Sequence, residues 1–286
     1  MQDTLPTWTA LPFAVLNLSM AGLPLLAPRL WEKATVQACV VVACALPVVF
    51  FSCQQGFAPH LLHSAHNYLT FIATLGALYV AAGGVLASAD LKATPAPNVG
   101  FLLVGSVLAS VIGTMGASVL LIRPFLRTNS QRRHTRHLVP FFILAVANTG
   151  GLLTPLGDPP LLIGFVSGVP FFWTLRLLPI WLLYTASLTL TLFWVERRAY
   201  AREAAADLQR DASEVAPFSL QGKRNLAVLA AIVASTFLPA VWRELALLAL
   251  GVTSWVATPR AVHEQNAFSF APMAEAALLF AGLFVC

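Results

Sequence analysis

Three long runs of this chain carry almost no charge. Residues 34–89 and 93–122 contain no Asp, Glu, Lys or Arg, and Asp158 and Arg176 are the only such residues between 138 and 195. With 58% hydrophobic and 10% charged residues, the 286-residue chain has too few charged side chains to cover a water-soluble globule. A membrane-crossing helix needs about 20 apolar residues. The runs therefore predict an all-α, polytopic membrane helical bundle.

Nine apolar segments are expected to enter the membrane: 10–28, 36–56, 67–88, 99–125, 138–165, 171–195, 225–241, 244–258 and 271–286. The protein is therefore expected to be a multi-pass protein of the cell inner membrane. The pI near 9.3 would suggest nucleic acid in a soluble protein. Here the basic residues gather in short loops between segments, so we expect membrane lipid and no nucleic acid as a partner.

Two basic loops predict the orientation. Residues 127–137, "RTNSQRRHTRH", contain four arginines and no acid, and residues 196–224 carry six basic residues. Cytoplasmic loops are enriched in Lys and Arg, so both loops are predicted to be cytoplasmic. The composition of 196–224 further predicts a solvated linker helix that extends the preceding span.

Segment 99–125 either crosses the membrane or enters it and returns. Its middle, "VIGTMGAS", contains Gly113, Thr114, Gly116 and Ser118, small residues that permit a tight turn at depth. A hairpin also places the loop with Lys92 inside and the N-terminus outside, which fits the charge rule better. We predict a re-entrant hairpin over 99–125.

Segment 138–165 contains its own helix breakers, in "VANTGGLLTPLGDPPLLIGF". Asn148 to Gly151 predict a helix end, because Gly and Asn tolerate a left-handed cap. Asp158 before Pro159 predicts a new start, since Asp accepts bonds from free amides and proline suits the first helical position. The segment should therefore be two half-helices joined by "GGLLTPLGD".

A break at membrane depth leaves backbone groups that must face protein or a polar cavity, and that cavity is the expected binding site. Carbonyl ends suit a cation such as sodium, and amide ends suit an anion or a titrating carboxylate. The candidate site residues are Gly113, Thr114 and Ser118 in the hairpin and Asn148, Thr149, Gly150, Gly151, Thr154 and Asp158 in the break.

The polar residues among these candidates have two interpretations each. Asp158 either only caps the second half-helix or also binds a coupling ion or proton, since intramembrane carboxylates are costly. Asn148, Thr149 and Thr154 are either sodium ligands or caps and back-bonded hydroxyls.

These motifs resemble a known family. "ANTGGLLTPLGDPPLLIGF", with "ASVIGTMGASVLLIRPFLR" and "GVPFFWTL", is similar to the sodium:proton antiporter and citrate-transport branch (CitMHS-like) of the ion transporter superfamily. The resemblance implies two inverted repeats, each with a hairpin and a broken helix, and elevator-like alternating access. It divides the chain into a first repeat (1–195), a cytoplasmic linker helix (196–224) and the start of a truncated second repeat (225–286).

The resemblance implies a secondary active transporter and not an enzyme. Sodium:proton antiport is the first expectation, and transport of citrate or dicarboxylate-type organic anions is the alternative. No cofactor is expected beyond sodium or a proton as coupling ion. We further expect a small anion as a substrate, a homodimer, and a separate chain that supplies the missing second repeat. A remote alternative is an intramembrane aspartyl protease, which needs two embedded aspartates, whereas only Asp158 qualifies.

Overall fold

The computed structural model describes residues 7–286, and the described elements are almost all helical. Among the described residues, four helical stretches are long and apolar enough to cross a membrane: Ala34–Gln54, Pro95–Ile112, Phe171–Tyr200 and Ala240–Ala257. Shorter apolar helices accompany them. The predicted all-α class and polytopic membrane architecture are confirmed.

Contacts divide the chain into two units. The first comprises the chain up to Ile72 together with Ser269–Cys286. Its elements are a 3-10 turn Thr7–Ala10, α1 Leu11–Leu26, α2 Pro28–Trp31, α3 Ala34–Gln54, the first part of α4 Ala58–Gly83, and α14 Ala271–Val285. Leu16, Val41 and Cys44 form its core, on which α14 packs closely: a Cβ on Gly282 would lie 2.9 Å from Leu16.

The second unit, Ala73–Phe268, contains the predicted hairpin and the predicted break. After the rest of α4 come β1 Leu86–Asp90, α5 Pro95–Ile112, α6 Thr114–Thr128, α7 Leu138–Phe142, a π-helix Ile143–Asn148, a 3-10 helix Thr149–Leu153, α8 Pro159–Val166, a 3-10 helix Phe171–Leu177, α9 Leu178–Tyr200, α10 Ala205–Ser213, β2 Ala216–Gln221, α11 Lys223–Ser235, α12 Ala240–Ala257 and α13 Arg260–Gln265. The division into repeats at 195 and 225 stays a prediction.

Helices α5 and α6 form a hairpin with a one-residue turn. The turn is Gly113, whose φ of +85° favours glycine because it has no Cβ. At the other end the side chains of Asn98 and Asn129 exchange two amide hydrogen bonds of 2.9 and 2.7 Å. Because the start of α5 meets the end of α6, the two helices fold back on each other as a hairpin, and its entry into the membrane from one side stays a prediction.

The helix break in segment 138–165 is present, but its form differs from the prediction. Winding changes from α to π at Ile143 and to 3-10 at Thr149, and a turn leads to α8 at Pro159. The left-handed cap at Gly150 and Gly151 was a wrong prediction: neither glycine has positive φ. The change in winding itself ends the helix, and these glycines serve close packing instead.

Helix α4 is shorter at its end than the predicted span 67–88. It ends at Gly83, and the next residues pair with β2 as a two-stranded antiparallel sheet. Buried asparagines take the carbonyls at this end: Asn266 donates to Gly83 at 2.8 Å, and Asn225 donates to Gly84 at 2.8 Å. Satisfied carbonyls stabilise a helix end, and these partners lie too far along the chain for local sequence to show.

The predicted single solvated helix over 196–224 was wrong. The segment contains the end of α9, then α10, then strand β2. Glu196, Glu203 and Asp211 within it are buried. These three carboxylates hold the segment against the rest of the second unit, whereas most of its other side chains are exposed.

Candidate functional site

The tip of the hairpin lies against the break. The backbone amide of Thr114 donates to the carbonyl of Gly157 at 2.8 Å. A Cβ on Gly113 would lie 3.2 Å from the carbonyl oxygen of Leu156. We call this contact between Gly113–Thr114 and residues 150–158 the junction. It is the meeting of hairpin and break that the sequence predicted.

Glycines allow the backbone of the break to fold on itself. A Cβ on Gly151 would lie 2.5 Å from the carbonyl oxygen of Gly157, and a Cβ on Gly157 would collide with Gly151. On α5, Ala109 Cβ would lie only 2.9 Å from a Cβ on Gly150. The junction therefore needs glycine at these positions for close approach.

Side chains of α5 and α9 satisfy the backbone of the break, and the sequence analysis missed them. Ser110 Oγ donates to the carbonyl of Gly150 at 2.6 Å, and Trp181 Nε1 donates to the same oxygen at 3.2 Å. Thr154 Oγ1 donates to the carbonyl of Ser110. Buried main-chain groups outside regular helix must find such partners. The only signal in the sequence was a polar residue on an apolar helix face.

Asp158 occupies the predicted N-cap position but does not cap with its side chain. The first two helical residues, Pro159 and Pro160, have no N–H, and the amides of Leu161 and Leu162 bond to the backbone oxygen of Asp158 at 3.0 and 3.1 Å. The carboxylate has no hydrogen-bond partner among the described residues. The capping interpretation of this side chain therefore fails.

The Asp158 carboxylate lies at a small cavity in the junction. Gly113, Thr114 and Gly157 line it with Asp158, and side chains of α4 and α8 complete its apolar wall. Its volume is ≈ 10 Å³, about the room that one water molecule needs. No basic residue is among those that line it in the described part of the chain.

Six of the nine predicted site residues do not line this cavity: Ser118, Asn148, Thr149, Gly150, Gly151 and Thr154. Thr149 Oγ1 donates to the carbonyl of Leu144 at 2.8 Å, which is the back-bonded alternative. Asn148 is exposed. Ser118 Oγ is buried and has no partner among the described residues. Thr154 bonds to Ser110 and also lies outside the cavity lining. None of the predicted sodium ligands Asn148, Thr149 and Thr154 therefore lines the cavity, and their binding of sodium stays a prediction.

A buried charge cluster at the mouth of the hairpin was also missed. The side chain of Arg132 is 0% exposed and pairs with Glu196 and, at 3.3 Å, with Glu203. Asn98 Nδ2 donates to Glu196 Oε1 at 2.7 Å, and His137 Nε2 lies 2.5 Å from Glu196 Oε2. The basic loop is therefore more than a set of topological charges. Its acids lie more than 60 residues further on, so the loop's own sequence gave no sign of burial.

Glu203 is held as a carboxylate. Burial by itself would raise its pKa, but hydrogen bonds from the backbone amides of His134 and Arg133 and the charge of Arg132 outweigh burial and lower the pKa below its ordinary value of 4.5. The cluster thus stabilises the ionised form of an acid that is closed off from water.

The aspartyl protease alternative lacks its geometry. Asp90 pairs with Arg127 at 3.3 Å at the mouth end of α6, whereas Asp158 lies at the hairpin tip. The 15 residues of α6 separate the two ends by roughly 20 Å at 1.5 Å per residue. Two aspartates must be neighbours to share a proton, so these two do not form such a pair.

A polytopic membrane protein with a hairpin tip set against a broken helix has the architecture of the transporter class, in which interrupted helices form the ion and substrate sites. Residues 2–286 match the sequence model of a family described as "Putative citrate transport". The chain belongs to this citrate-transport family, as the resemblance predicted. No curated protein and no solved structure matches it.

Proposed function

We propose that this chain is a secondary active transporter that couples a cation, sodium or a proton, to the movement of a citrate-type carboxylate. The observation that carries the proposal is the junction, where the Asp158 carboxylate lines a cavity between the hairpin tip and the break and has no hydrogen-bond partner within residues 7–286. Broken helices at membrane depth supply unpaired backbone groups and charge to transported ions.

The cavity suits the coupling cation and not the carboxylate. A volume of ≈ 10 Å³ holds one water-sized body, which is far smaller than citrate. A carboxylate without a hydrogen-bond partner attracts a proton or a dehydrated cation, because an isolated ion in a low dielectric is costly. We therefore assign the coupling ion to the junction and leave the organic anion to another part of the transport path.

Sodium:proton antiport is the second candidate. The sequence analysis placed it first, and the cavity supports it, because Asp158 is acidic and no basic side chain lines the described wall to receive an anion. The family description favours the carboxylate. Both candidates use the same coupling site, so the test of the site precedes the choice between them.

We also propose that the turn with Lys92 and the segments 127–137 and 196–224 lie together on the cytoplasmic side of the inner membrane. Their mutual contacts support this: the amide of Ala93 donates to Asp211 Oδ2 at 2.9 Å, and Arg132 joins the loop to Glu196 and Glu203. Their excess of arginine and lysine fits the positive-inside rule.

Flux in proteoliposomes tests the function. The full chain is reconstituted, and labelled citrate uptake is measured with an inward sodium gradient, an inward proton gradient, or none. In parallel, a pH dye inside the vesicles reports sodium-driven proton movement without citrate. Gradient-dependent citrate uptake supports the first candidate, and sodium-driven proton movement alone supports the second.

Asp158→Asn removes the charge with little change of shape, and Glu264→Gln, an exposed glutamate, is the matched control. We expect flux to fall at least about a hundredfold in Asp158→Asn, as expected for loss of a charged ligand contact worth about 3 kcal/mol, and to persist in Glu264→Gln. Gradient-driven flux that Asp158→Asn leaves intact would reject the junction as the coupling site.

A further inference from the structure

A basic groove lies on the second unit, away from the junction. Its volume is ≈ 610 Å³, within the range of about 300–1,000 Å³ typical of small-molecule sites. Six of its lining side chains are basic or can become so: Arg133, His134, Arg136, His137, Arg198 and Arg202. No acidic residue lines it within the described part of the chain. The groove is therefore a concave surface on which every charged side chain is positive.

Three of the six side chains are already engaged. Arg133 pairs with Asp207 at 2.9 Å, His134 lies 3.3 Å from Glu203, and His137 contacts Glu196. The other three, Arg136, Arg198 and Arg202, are exposed and have no ion-pair or hydrogen-bond partner among the described residues. The groove thus offers three guanidinium groups, each of which can bind a phosphate oxygen in bidentate fashion.

An exposed apolar stripe of α9 lies next to the groove. Leu190 is 60% and Trp194 is 58% exposed. Leu190, Trp194 and Arg198 follow at intervals of four residues, which places them on one face of the helix. Tryptophan is typical of the membrane–water interface. The apolar base of the groove, Val195 and Ala199, lies on the same helix.

We propose that this groove binds the phosphate headgroup of an anionic phospholipid, with the acyl chains along the exposed stripe of α9. Arg136, Arg198 and Arg202 contact the phosphate. The acyl chains of a lipid can pack on the apolar stripe, whereas a free anion has no apolar part that could do so. Basic pockets beside membrane helices attract anionic headgroups, with each Lys or Arg contributing to the binding.

Lipid-dependent stability of the full chain tests the proposal. The protein is delipidated in non-ionic detergent, and its thermal unfolding midpoint is followed during titration with phosphatidylglycerol, phosphatidylcholine, glycerol phosphate or inorganic phosphate. A ligand that binds only the folded state raises the midpoint. We expect a rise with phosphatidylglycerol that weakens at high salt, and no comparable rise with the other three.

Two triple variants with equal loss of charge locate the effect. Arg136→Gln/Arg198→Gln/Arg202→Gln removes the unpartnered groove arginines. Arg197→Gln/Lys223→Gln/Arg224→Gln removes exposed charges of the 196–224 segment that do not line the groove. We expect about a hundredfold weaker phosphatidylglycerol binding in the first, from about fivefold per arginine, and affinity close to that of the unmodified chain in the second. Asp158→Asn should bind the lipid normally, so this test is separate from the transport proposal.

Several outcomes would overturn the assignment. Equal stabilisation by glycerol phosphate or inorganic phosphate at the same concentration would make the groove a site for soluble anions. Equal losses of phosphatidylglycerol affinity in the two triple variants would show that the lipid responds to the net positive charge of the surface and not to the groove. Phosphatidylglycerol retained on the purified protein, counted by native mass spectrometry, gives a measure independent of unfolding, and unchanged retention in the groove variant would also reject the site.

Discussion

At the residue scale, glycine decides whether the junction forms. The backbones of Gly150, Gly151 and Gly157 do not have positive φ. These positions need glycine because a side chain would not fit, and not because of an unusual backbone angle. A methyl group at Gly151 or Gly157 would meet the backbone of the other. The break keeps its compact shape because two stretches of main chain touch directly.

Gly151→Ala should therefore destabilise the protein. The added Cβ would lie 2.5 Å from the carbonyl of Gly157, and we expect a loss of about 1–3 kcal/mol of unfolding free energy, as for other overpacked sites. Gly100→Ala is the control, since nothing lies within 4 Å of a Cβ there. It should be neutral or stabilise α5 by up to about 1 kcal/mol. Denaturant unfolding in detergent measures both, and equal effects would contradict the contact.

Sequence reasoning found the glycines and Asp158 because breakers in an apolar run are local signals. It predicted a left-handed cap at the glycines, which was wrong. Of its two interpretations of Asp158, capping fails, because Pro159 and Pro160 have no N–H and the amide of Leu161 bonds to the backbone oxygen of Asp158. It missed Ser110 and Trp181, since only packing shows which polar side chain on a helix faces the break.

At the element scale, the buried charge cluster fastens the mouth of the hairpin to α9. Arg132 is fully buried and faces Glu196 and Glu203, whereas Arg210 pairs with Glu214 at the surface, where the two side chains are 70% and 45% exposed. Removing one partner of a buried ion pair leaves the charge of the other partner buried and uncompensated. An exposed pair is screened by water and contributes little.

Arg132→Gln and Arg210→Gln form a matched pair of variants. We expect Arg132→Gln to lower the unfolding free energy by about 3–5 kcal/mol and Arg210→Gln to leave it almost unchanged. Thermal unfolding in detergent at neutral pH compares them. Similar losses for both would show that Arg132 is not sealed within the protein.

Glu203 gives the cluster a pH dependence. Its pKa in the folded chain lies below the ordinary 4.5, so it stabilises the fold above pH 4.5 and loses that contribution as the pH falls through the folded value. Unfolding midpoints measured from pH 7 to pH 3 should fall on the acid side. In Glu203→Gln the difference from the unmodified chain should be largest above pH 4.5 and shrink below it. A constant difference would contradict the ion pair, and Glu264→Gln serves as the exposed control.

Elements whose ends are set by distant partners were the hardest to predict. The helix content of α4 was evident from its apolar run, but its end at Gly83 depends on Asn225, Asn266 and strand β2, more than 130 residues away in the chain. The segment 196–224 was misjudged for the same reason. Its helical composition is local, whereas the burial of its acids depends on Arg132 and Ala93.

At the scale of the whole molecule, the polar loops of the second unit gather at the mouth of the hairpin. In a background without native cysteines, single cysteines at Ser130 and Ser213, both exposed, should react with a membrane-impermeant thiol reagent in inside-out vesicles and not in intact cells. Labelling of either position in intact cells would overturn the proposed cytoplasmic placement.

The central claim is that Asp158, at the junction of hairpin tip and break, holds the coupling cation. Its most direct test is binding of radioactive sodium to the purified full chain, with Asp158→Asn and Glu264→Gln measured beside it and their thermal unfolding recorded as a check of folding. We expect sodium binding that saturates and that protons compete. It should be lost in Asp158→Asn and kept in Glu264→Gln. If the coupling ion is a proton, the purified chain should instead take up protons, and Asp158→Asn should abolish that uptake. Ion binding that is identical in the folded Asp158→Asn variant would contradict the central claim.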